Sequence, residues 1–139
     1  MKQIIWKANE DSMKIYIVDD SDLLRERLIG MIAETDDVNI IGQSESAKVA
    51  ISEIISKKPD LVFLDIRLPS GSGIEILEAI KNTSNAPTVV MLTNYPYAQY
   101  EKKCRDLGAD HFLDKSRDFE LIPALIADIA KTLQMEPSS

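Results

Sequence analysis

Apolar runs with the length of strands alternate with amphipathic runs of helical period along this 139-residue chain. Such alternation is typical of βαβ units and predicts an α/β fold with a parallel sheet. The strand runs are apolar throughout, as in a sheet that helices cover on both faces. The predicted strands are Ile15–Val18, Val38–Gly42, Leu61–Leu64, Thr88–Leu92 and Asp110–Leu113.

Helical patterns fill the intervals between these strands. Ser21 is a predicted N-cap of the first helix, which ends near Glu34. The second helix ends before Pro59, because the residue preceding a proline disfavours helical geometry. A turn-rich loop over 68–73 precedes the third helix, and the last two helices are predicted over Tyr97–Leu107 and Phe119–Leu133. We therefore expect a single domain over residues 13–135, flanked by tails 1–12 and 136–139.

Composition narrows the classes of function. The formal net charge of -7 argues against direct binding of nucleic acid, which depends on clustered Lys and Arg. The single cysteine, Cys104, excludes an internal disulfide and fits a reducing compartment. The N-terminal apolar run Ile4–Trp6 is too short for a signal peptide or a membrane span. We expect a cytoplasmic protein that contacts neither membrane nor nucleic acid directly.

Polar residues suited to phosphoryl chemistry follow four of the predicted strands. Asp19 and Asp20 follow the first strand, Asp65 the third, Thr93 the fourth and Lys115 lies just after the fifth. Because the carboxyl ends of parallel strands line one crevice, these side chains are expected to converge within about a Debye length, roughly 10 Å.

Three carboxylates at one sheet edge repel one another unless a cation lies between them. Mg²⁺ suits such a site because it prefers carboxylate oxygens together with water and phosphate oxygens. Lys115 and Thr93 are suited to bind phosphoryl oxygens. Asp65 is a candidate nucleophile, since a carboxylate needs no general base for phosphoryl transfer. Each residue alone is typical of a turn, a cap or a solvated charge, but their joint placement favours the functional interpretation.

With these residues placed, the chain resembles the CheY-like receiver domains of two-component response regulators over nearly its whole length. The similar elements are Asp19–Asp20, Leu64–Pro69 with Gly73, Leu92–Thr93 and Gly108–Lys115. The resemblance implies a doubly wound, flavodoxin-like (βα)5 fold with three layers and strand order 2-1-3-4-5. It is strongest to receivers of NarL/LuxR-type transcription regulators, which carry a DNA-binding domain after the receiver. A stand-alone receiver and the front part of a longer regulator both stay open.

The resemblance also implies a chemistry for the site. Asp65 would be the phosphoacceptor, taking a phosphoryl group from a sensor histidine kinase or a histidine phosphotransfer protein. Thr93 and Lys115 would bind the phosphoryl oxygens. The implied Mg²⁺ ligands are Asp19, Asp20, Asp65 and the main-chain carbonyl of Arg67. The chain would then be a phosphoacceptor switch that catalyses only its own phosphorylation and slow autodephosphorylation.

Phe112 occupies the position of the family's switch aromatic, although a core role on an apolar strand is the alternative interpretation. In the family, Thr93 and the aromatic move on phosphorylation and repack the face of helix 4, strand 5 and helix 5. A downstream protein or a second copy of the chain would bind that face. Arg67, Asn94 and Tyr95 depart from the commonest family pattern and leave the phosphoryl lifetime open.

Three other hypotheses compete with the receiver. A flavodoxin-like nucleotide or flavin carrier would need a phosphate loop after the first strand, where the acidic Asp19–Asp20 would repel phosphate. A phosphatase of the haloacid dehalogenase type would need a second aspartate where Arg67 stands. A pseudo-receiver would dimerise without phosphorylation.

Overall fold

A computed structural model describes residues 12–135 as a five-stranded parallel sheet with helices on both faces. The strands of this sheet are β1 (Met13–Val18), β2 (Val38–Ser44), β3 (Leu61–Leu64), β4 (Thr88–Thr93) and β5 (His111–Asp114). Their order is β2-β1-β3-β4-β5, which confirms the predicted fold. The helices are α1 (Asp22–Ala33), α2 (Ala47–Lys57), α3 (Gly73–Lys81), α4 (Ala98–Asp106) and α5 (Ile122–Met135). The predicted tails lie outside the described residues, apart from Ser12.

Two apolar clusters lie on opposite faces of the sheet. Alternate residues of β1 divide between them, since Tyr16 and Val18 pack with α2, α3 and α4, whereas Ile15 and Ile17 pack with α1 and α5. The three central strands are almost fully buried, as their continuous apolar runs predict. The edge strands β2 and β5 are only partly buried, because each has a neighbouring strand on one side alone.

Serine side chains start three of the helices. Ser21, Ser46 and Ser72 each accept a hydrogen bond from a main-chain N–H in the first turn of α1, α2 and α3, respectively. The predicted cap at Ser21 is therefore confirmed. Just beyond α4, Gly108 adopts a φ of 104°, a conformation that residues with a side chain rarely adopt. The three serines set where the chain enters α1, α2 and α3, and Gly108 lies where the chain leaves α4 for β5.

Besides shifts of one or two residues at the ends of other elements, three features differ from the sequence prediction. The loop after β3 contains a short antiparallel hairpin in which Arg67 pairs with Ser72. The last helix starts with a 3-10 turn over Phe119–Leu121 before α5. Strand β1 begins at Met13, two residues before the predicted start, because Met13 and Lys14 already pair with Val38 and Asn39 of β2. The start of β1 depends on a distant segment, whereas the hairpin and the 3-10 turn are local features too short to show a periodic pattern.

A tight contact shapes the pairing of β1 with β2. The register shifts between Ile15 and Tyr16, and a Cβ on Gly42 would lie 2.6 Å from the Tyr16 ring. The Tyr16 hydroxyl donates to Glu53 of α2 at 2.6 Å. Burial, reinforced by Glu53, raises the pKa of the Tyr16 phenol far above its ordinary value. The hydrogen bond between Tyr16 and Glu53 therefore links the sheet to α2.

The register aligns the carboxyl ends of the strands. Val18 pairs with Leu64, and Leu64 pairs with Met91. The Asp65 N–H then donates to the Val18 carbonyl at 3.0 Å, and the Lys115 N–H donates to the Thr93 carbonyl at 2.9 Å. Residues from four strand ends therefore meet at one edge of the sheet.

Candidate functional site

Three aspartates form a cluster at this edge. One carboxylate oxygen from each of Asp19, Asp20 and Asp65 lies within 4.8 Å of the other two. Asp19 and Asp65 are buried, whereas Asp20 is exposed. The cluster therefore opens to solvent on the side of Asp20, where a cation or a phosphoryl donor can approach.

Lys115 supplies the positive charge inside this cluster. Its Nζ lies 2.8 Å from Oδ2 of Asp19 and 2.8 Å from Oδ2 of Asp65. The lysine side chain is only 7% exposed, so the ion pairs are largely shielded from water. Burial acts to lower the pKa of Lys115, but its bonds to the two carboxylates outweigh burial and raise the pKa. The ammonium therefore stays charged at neutral pH.

The Asp65 carboxylate is buried in a way that disfavours its charged form. Burial raises the pKa of its carboxyl above the ordinary value, against the opposing effect of the Lys115 ammonium. Its Oδ1 is buried and has no hydrogen-bond partner within the described part of the chain. A buried oxygen without a partner costs free energy that an incoming ligand can recover. Asp65 therefore has one oxygen bound to Lys115 and one available.

These donors fit a hard divalent cation. Three ionised carboxylates and one ammonium leave a formal charge of about -2, which one Mg²⁺ balances. All the side-chain donors are oxygens, the ligands that Mg²⁺ prefers. The Asp65 oxygen without a partner is a further reason to expect a ligand here.

The main-chain N–H, the carbonyl and both carboxylate oxygens of Asp19 all have partners. Its N–H donates to the Ser44 carbonyl at 3.1 Å, and its Oδ1 accepts from the Ser21 N–H at 2.8 Å. Its main-chain carbonyl accepts from the guanidinium of Arg25, which also pairs with Asp22. With Lys115 on Oδ2, the conformation of this residue is closely defined.

Thr93 lies at the end of β4 and is fully buried. Its hydroxyl oxygen accepts from the Tyr95 N–H at 2.9 Å, which leaves the hydroxyl proton available to donate to another group. Phe112 is partly buried and packs against the cluster of α2, α3 and α4. Phe112 therefore contacts the core in this conformation.

Arg67 joins the loop after β3 to α4 and to the loop that precedes it. Its guanidinium lies 3.8 Å from the centre of the Tyr95 ring and 3.4 Å from the Tyr100 hydroxyl. Tyr97 extends this aromatic group, with its ring centre 5.6 Å from that of Tyr100. The side chain of Arg67 therefore points to the tyrosines rather than to the aspartates.

The sequence interpretation missed Arg25 and the contact between Arg67 and the tyrosines. Arg25 lies one turn into α1, and its position after an acidic strand end is the signal that was available. The tyrosines at 95, 97 and 100 have the spacing of a loop leading into a helix, and nothing in that spacing indicates a contact with Arg67.

Comparison with known proteins decides the family. The profile of the response regulator receiver domain matches residues 15–127. This chain belongs to the response regulator receiver domain family. It is a CheY-like receiver of two-component signalling. This membership favours the receiver hypothesis over the flavin carrier and phosphatase hypotheses.

Individual relatives agree with this assignment. The sensory transduction protein LytT of Bacillus anthracis is 33% identical over 124 residues, which are 89% of this chain and 50% of LytT. The response regulator domain of Thermotoga maritima CheB has a TM-score of 0.78 and 25% identity, covering 91% of this chain and 99% of that chain. A LuxR-family DNA-binding response regulator from Staphylococcus aureus has a TM-score of 0.78 and 24% identity, covering 85% and 98%, respectively, a likeness that shows the fold.

The receiver spans about half the length of the LytT relatives that it matches. The activities of those whole proteins are therefore not assigned to it. Within residues 12–135, no helix has the length and apolar character needed to cross a bilayer.

Proposed function

We propose that this receiver is a phosphoacceptor switch in which Asp65 takes a phosphoryl group from the phosphohistidine of a sensor histidine kinase or a histidine phosphotransfer protein. One observation carries the proposal: a buried ammonium binds two aspartates at 2.8 Å while an oxygen of Asp65 is left without a partner. A purely structural ion pair gains nothing from an unsatisfied buried oxygen.

The proposed transfer exchanges one bond to phosphorus for another. An oxygen of the Asp65 carboxylate bonds to phosphorus while the phosphorus–nitrogen bond of phosphohistidine breaks. The electron pair of that bond moves onto the imidazole nitrogen, and the ring, already protonated on its other nitrogen, leaves as neutral imidazole. Asp65 loses no proton, so the site needs no general base.

The other residues hold and neutralise the reacting group. Asp19, Asp20, Asp65 and the Arg67 main-chain carbonyl are the proposed ligands of Mg²⁺, which supplies neutralisation of the charge on the phosphoryl oxygens. The Lys115 ammonium and the Thr93 hydroxyl are the proposed donors to those oxygens.

The proposed output is a change at the face formed by α4, β5 and α5. A new charge near Thr93 and Phe112 would shift the population between two packings of this face. The downstream partner is another protein or a second copy of the chain. We place this switch in residues 13–135 and in the cytoplasm, with no direct contact to nucleic acid or membrane.

Phosphorylation with a small donor tests the acceptor. Acetyl phosphate with Mg²⁺ should add one phosphoryl group to the intact chain, detected by mass spectrometry as a hydroxylamine-sensitive acyl phosphate. Chelation of Mg²⁺ should abolish the labelling. Asp65→Asn should not be labelled, whereas Asp36→Asn, at an exposed aspartate between α1 and β2, should be labelled like the wild type. Labelling that survives in Asp65→Asn refutes the assignment.

The pseudo-receiver remains the competing hypothesis. Beryllofluoride, which mimics a phosphoryl group on a carboxylate, should change the NMR signals of α4 and β5 in the presence of Mg²⁺. An unchanged spectrum and an unchanged oligomeric state would favour a receiver that works without phosphorylation.

A further inference from the structure

Arg25 is a mostly buried cation just behind the aspartate cluster. It is the fourth residue of α1, and its N–H closes the first turn by donating to the Ser21 carbonyl at 3.0 Å. Its side chain is 17% exposed, whereas that of its ion-pair partner Asp22 is 83% exposed. The same guanidinium donates to the main-chain carbonyl of Asp19. An ion pair with Asp22 alone would not require a buried arginine.

The Asp19 carbonyl belongs to the peptide unit that leads into Asp20. Because a peptide unit is planar, a bond that fixes this carbonyl also fixes the main-chain N–H of Asp20 and the direction in which its chain continues. The Asp20 side chain is exposed, and its carboxylate has no hydrogen bond or ion pair within residues 12–135. Asp20 therefore depends on its backbone for its place in the cluster.

We infer that Arg25 is a positioning residue for the cation site, which it serves by clamping the Asp19–Asp20 peptide. This inference rests on the proposed function, since it concerns the Mg²⁺ that the aspartates would hold. Partners that orient metal ligands commonly alter metal affinity by about 10-fold to 100-fold when they are removed.

A role through charge and a role through positioning predict opposite changes in Mg²⁺ affinity when Arg25 is replaced. A positive charge near three carboxylates repels an incoming cation, so its removal by charge alone would tighten Mg²⁺ binding, most clearly at low salt. Loss of the clamp would instead loosen Asp20 and weaken binding at every salt concentration. The direction of the change therefore separates the two roles.

The test measures Mg²⁺ binding directly by titration calorimetry on the full chain, at low and high salt. Arg25→Gln should raise the Kd for Mg²⁺ about tenfold at both salt concentrations. Arg27→Gln is the matched control, because it removes the same charge from the same helix where the guanidinium stacks on Phe119 at 4.4 Å. The control should bind Mg²⁺ like the wild type or slightly more tightly.

A second variant and a second measurement keep the result clear. Arg25→Lys keeps a donor for the Asp19 carbonyl and should regain part of the affinity, even if Arg25→Gln is poorly folded. Saturating Mg²⁺ should restore the acetyl phosphate reaction of Arg25→Gln towards the wild-type rate.

Three results would overturn the inference. Mg²⁺ affinity in Arg25→Gln equal to that in Arg27→Gln, or tighter than in the wild type, removes the positioning role and leaves the proposed function intact. If Arg25→Lys binds Mg²⁺ no more tightly than Arg25→Gln, the positioning role is also removed and the proposed function stays intact. Failure of the wild type to bind Mg²⁺ overturns the proposed function and this inference together.

Discussion

Replacement of Gly73 by alanine tests the closest backbone approach at the site. Gly73 is the first residue of α3, and its N–H donates to the Ile66 carbonyl at 2.8 Å. A Cβ at this position would lie 1.9 Å from the main-chain oxygen of Asp65 and 2.8 Å from its carbonyl carbon. The atoms in the way are main chain, so no side chain can rotate aside.

The size of the effect follows from this overlap. Contacts between nonbonded heavy atoms need about 3.5 Å, so the two segments must separate by more than about 1 Å. Overpacking commonly costs about 1–3 kcal/mol, and we expect about 3 kcal/mol for Gly73→Ala because backbone must move. If Asp65 is the acceptor as proposed, a displacement of its main chain by about 1 Å should also lower the phosphorylation rate by about 100-fold.

Gly30 provides a control with the same chemical change. It is exposed within α1 and has nothing within 4 Å of an added Cβ. Gly30→Ala should therefore raise the free energy of unfolding by about 0.8 kcal/mol and leave phosphorylation unchanged. Urea unfolding and labelling with acetyl phosphate measure both properties. If Gly73→Ala unfolds within about 1 kcal/mol of the wild type and is labelled at the normal rate, the described approach of α3 to Asp65 is wrong.

Three further predictions concern buried polar groups. Lys115→Met should lower the free energy of unfolding by about 3–5 kcal/mol at pH 7 without Mg²⁺, because it leaves two buried carboxylates without a positively charged partner. The raised pKa of Lys115 means that the wild-type contribution persists below the ordinary lysine pKa and is lost only as pH rises through the raised value. The deficit of the variant should shrink at acid pH as its carboxylates become protonated, so a deficit that stays constant in urea unfolding down to about pH 4 contradicts this account. Tyr16→Phe should cost about 1.5 kcal/mol in the same assay, since it removes the bond to Glu53, and a change below about 0.3 kcal/mol would show that this bond contributes little. Burial raises the pKa of Cys104 to about 11, so a thiol reagent at pH 8 should label the native chain far more slowly than the unfolded chain, and equal rates would contradict its burial.

Much of the fold was predictable because its signals are local. Periodicity identified each strand and helix, and Ser21 and Pro59 marked helix limits through the chemistry of their own side chains. The less predictable parts were the hairpin at Arg67 and the 3-10 turn at Phe119, which are short and lack a periodic pattern.

The candidate site divides in the same way. The residue types at the strand ends, together with a parallel sheet, were enough to predict that Asp19, Asp65 and Lys115 meet. The sequence could not show that one ammonium binds both aspartates, because Lys115 and Asp65 are fifty positions apart and the contact depends on how two loops turn.

The sequence by itself determined the alternation of strands and helices, the type of polar residue that follows each strand, and the negative net charge of the chain. The tertiary structure alone decided which atom of Asp65 is left without a partner, that Gly73 lies against the main chain of Asp65, and that the Arg25 guanidinium binds the Asp19 carbonyl. The reason is physical: periodicity and capping act over a few neighbouring residues, whereas hydrogen bonds and steric overlap depend on differences of less than about 1 Å between segments that only folding brings together.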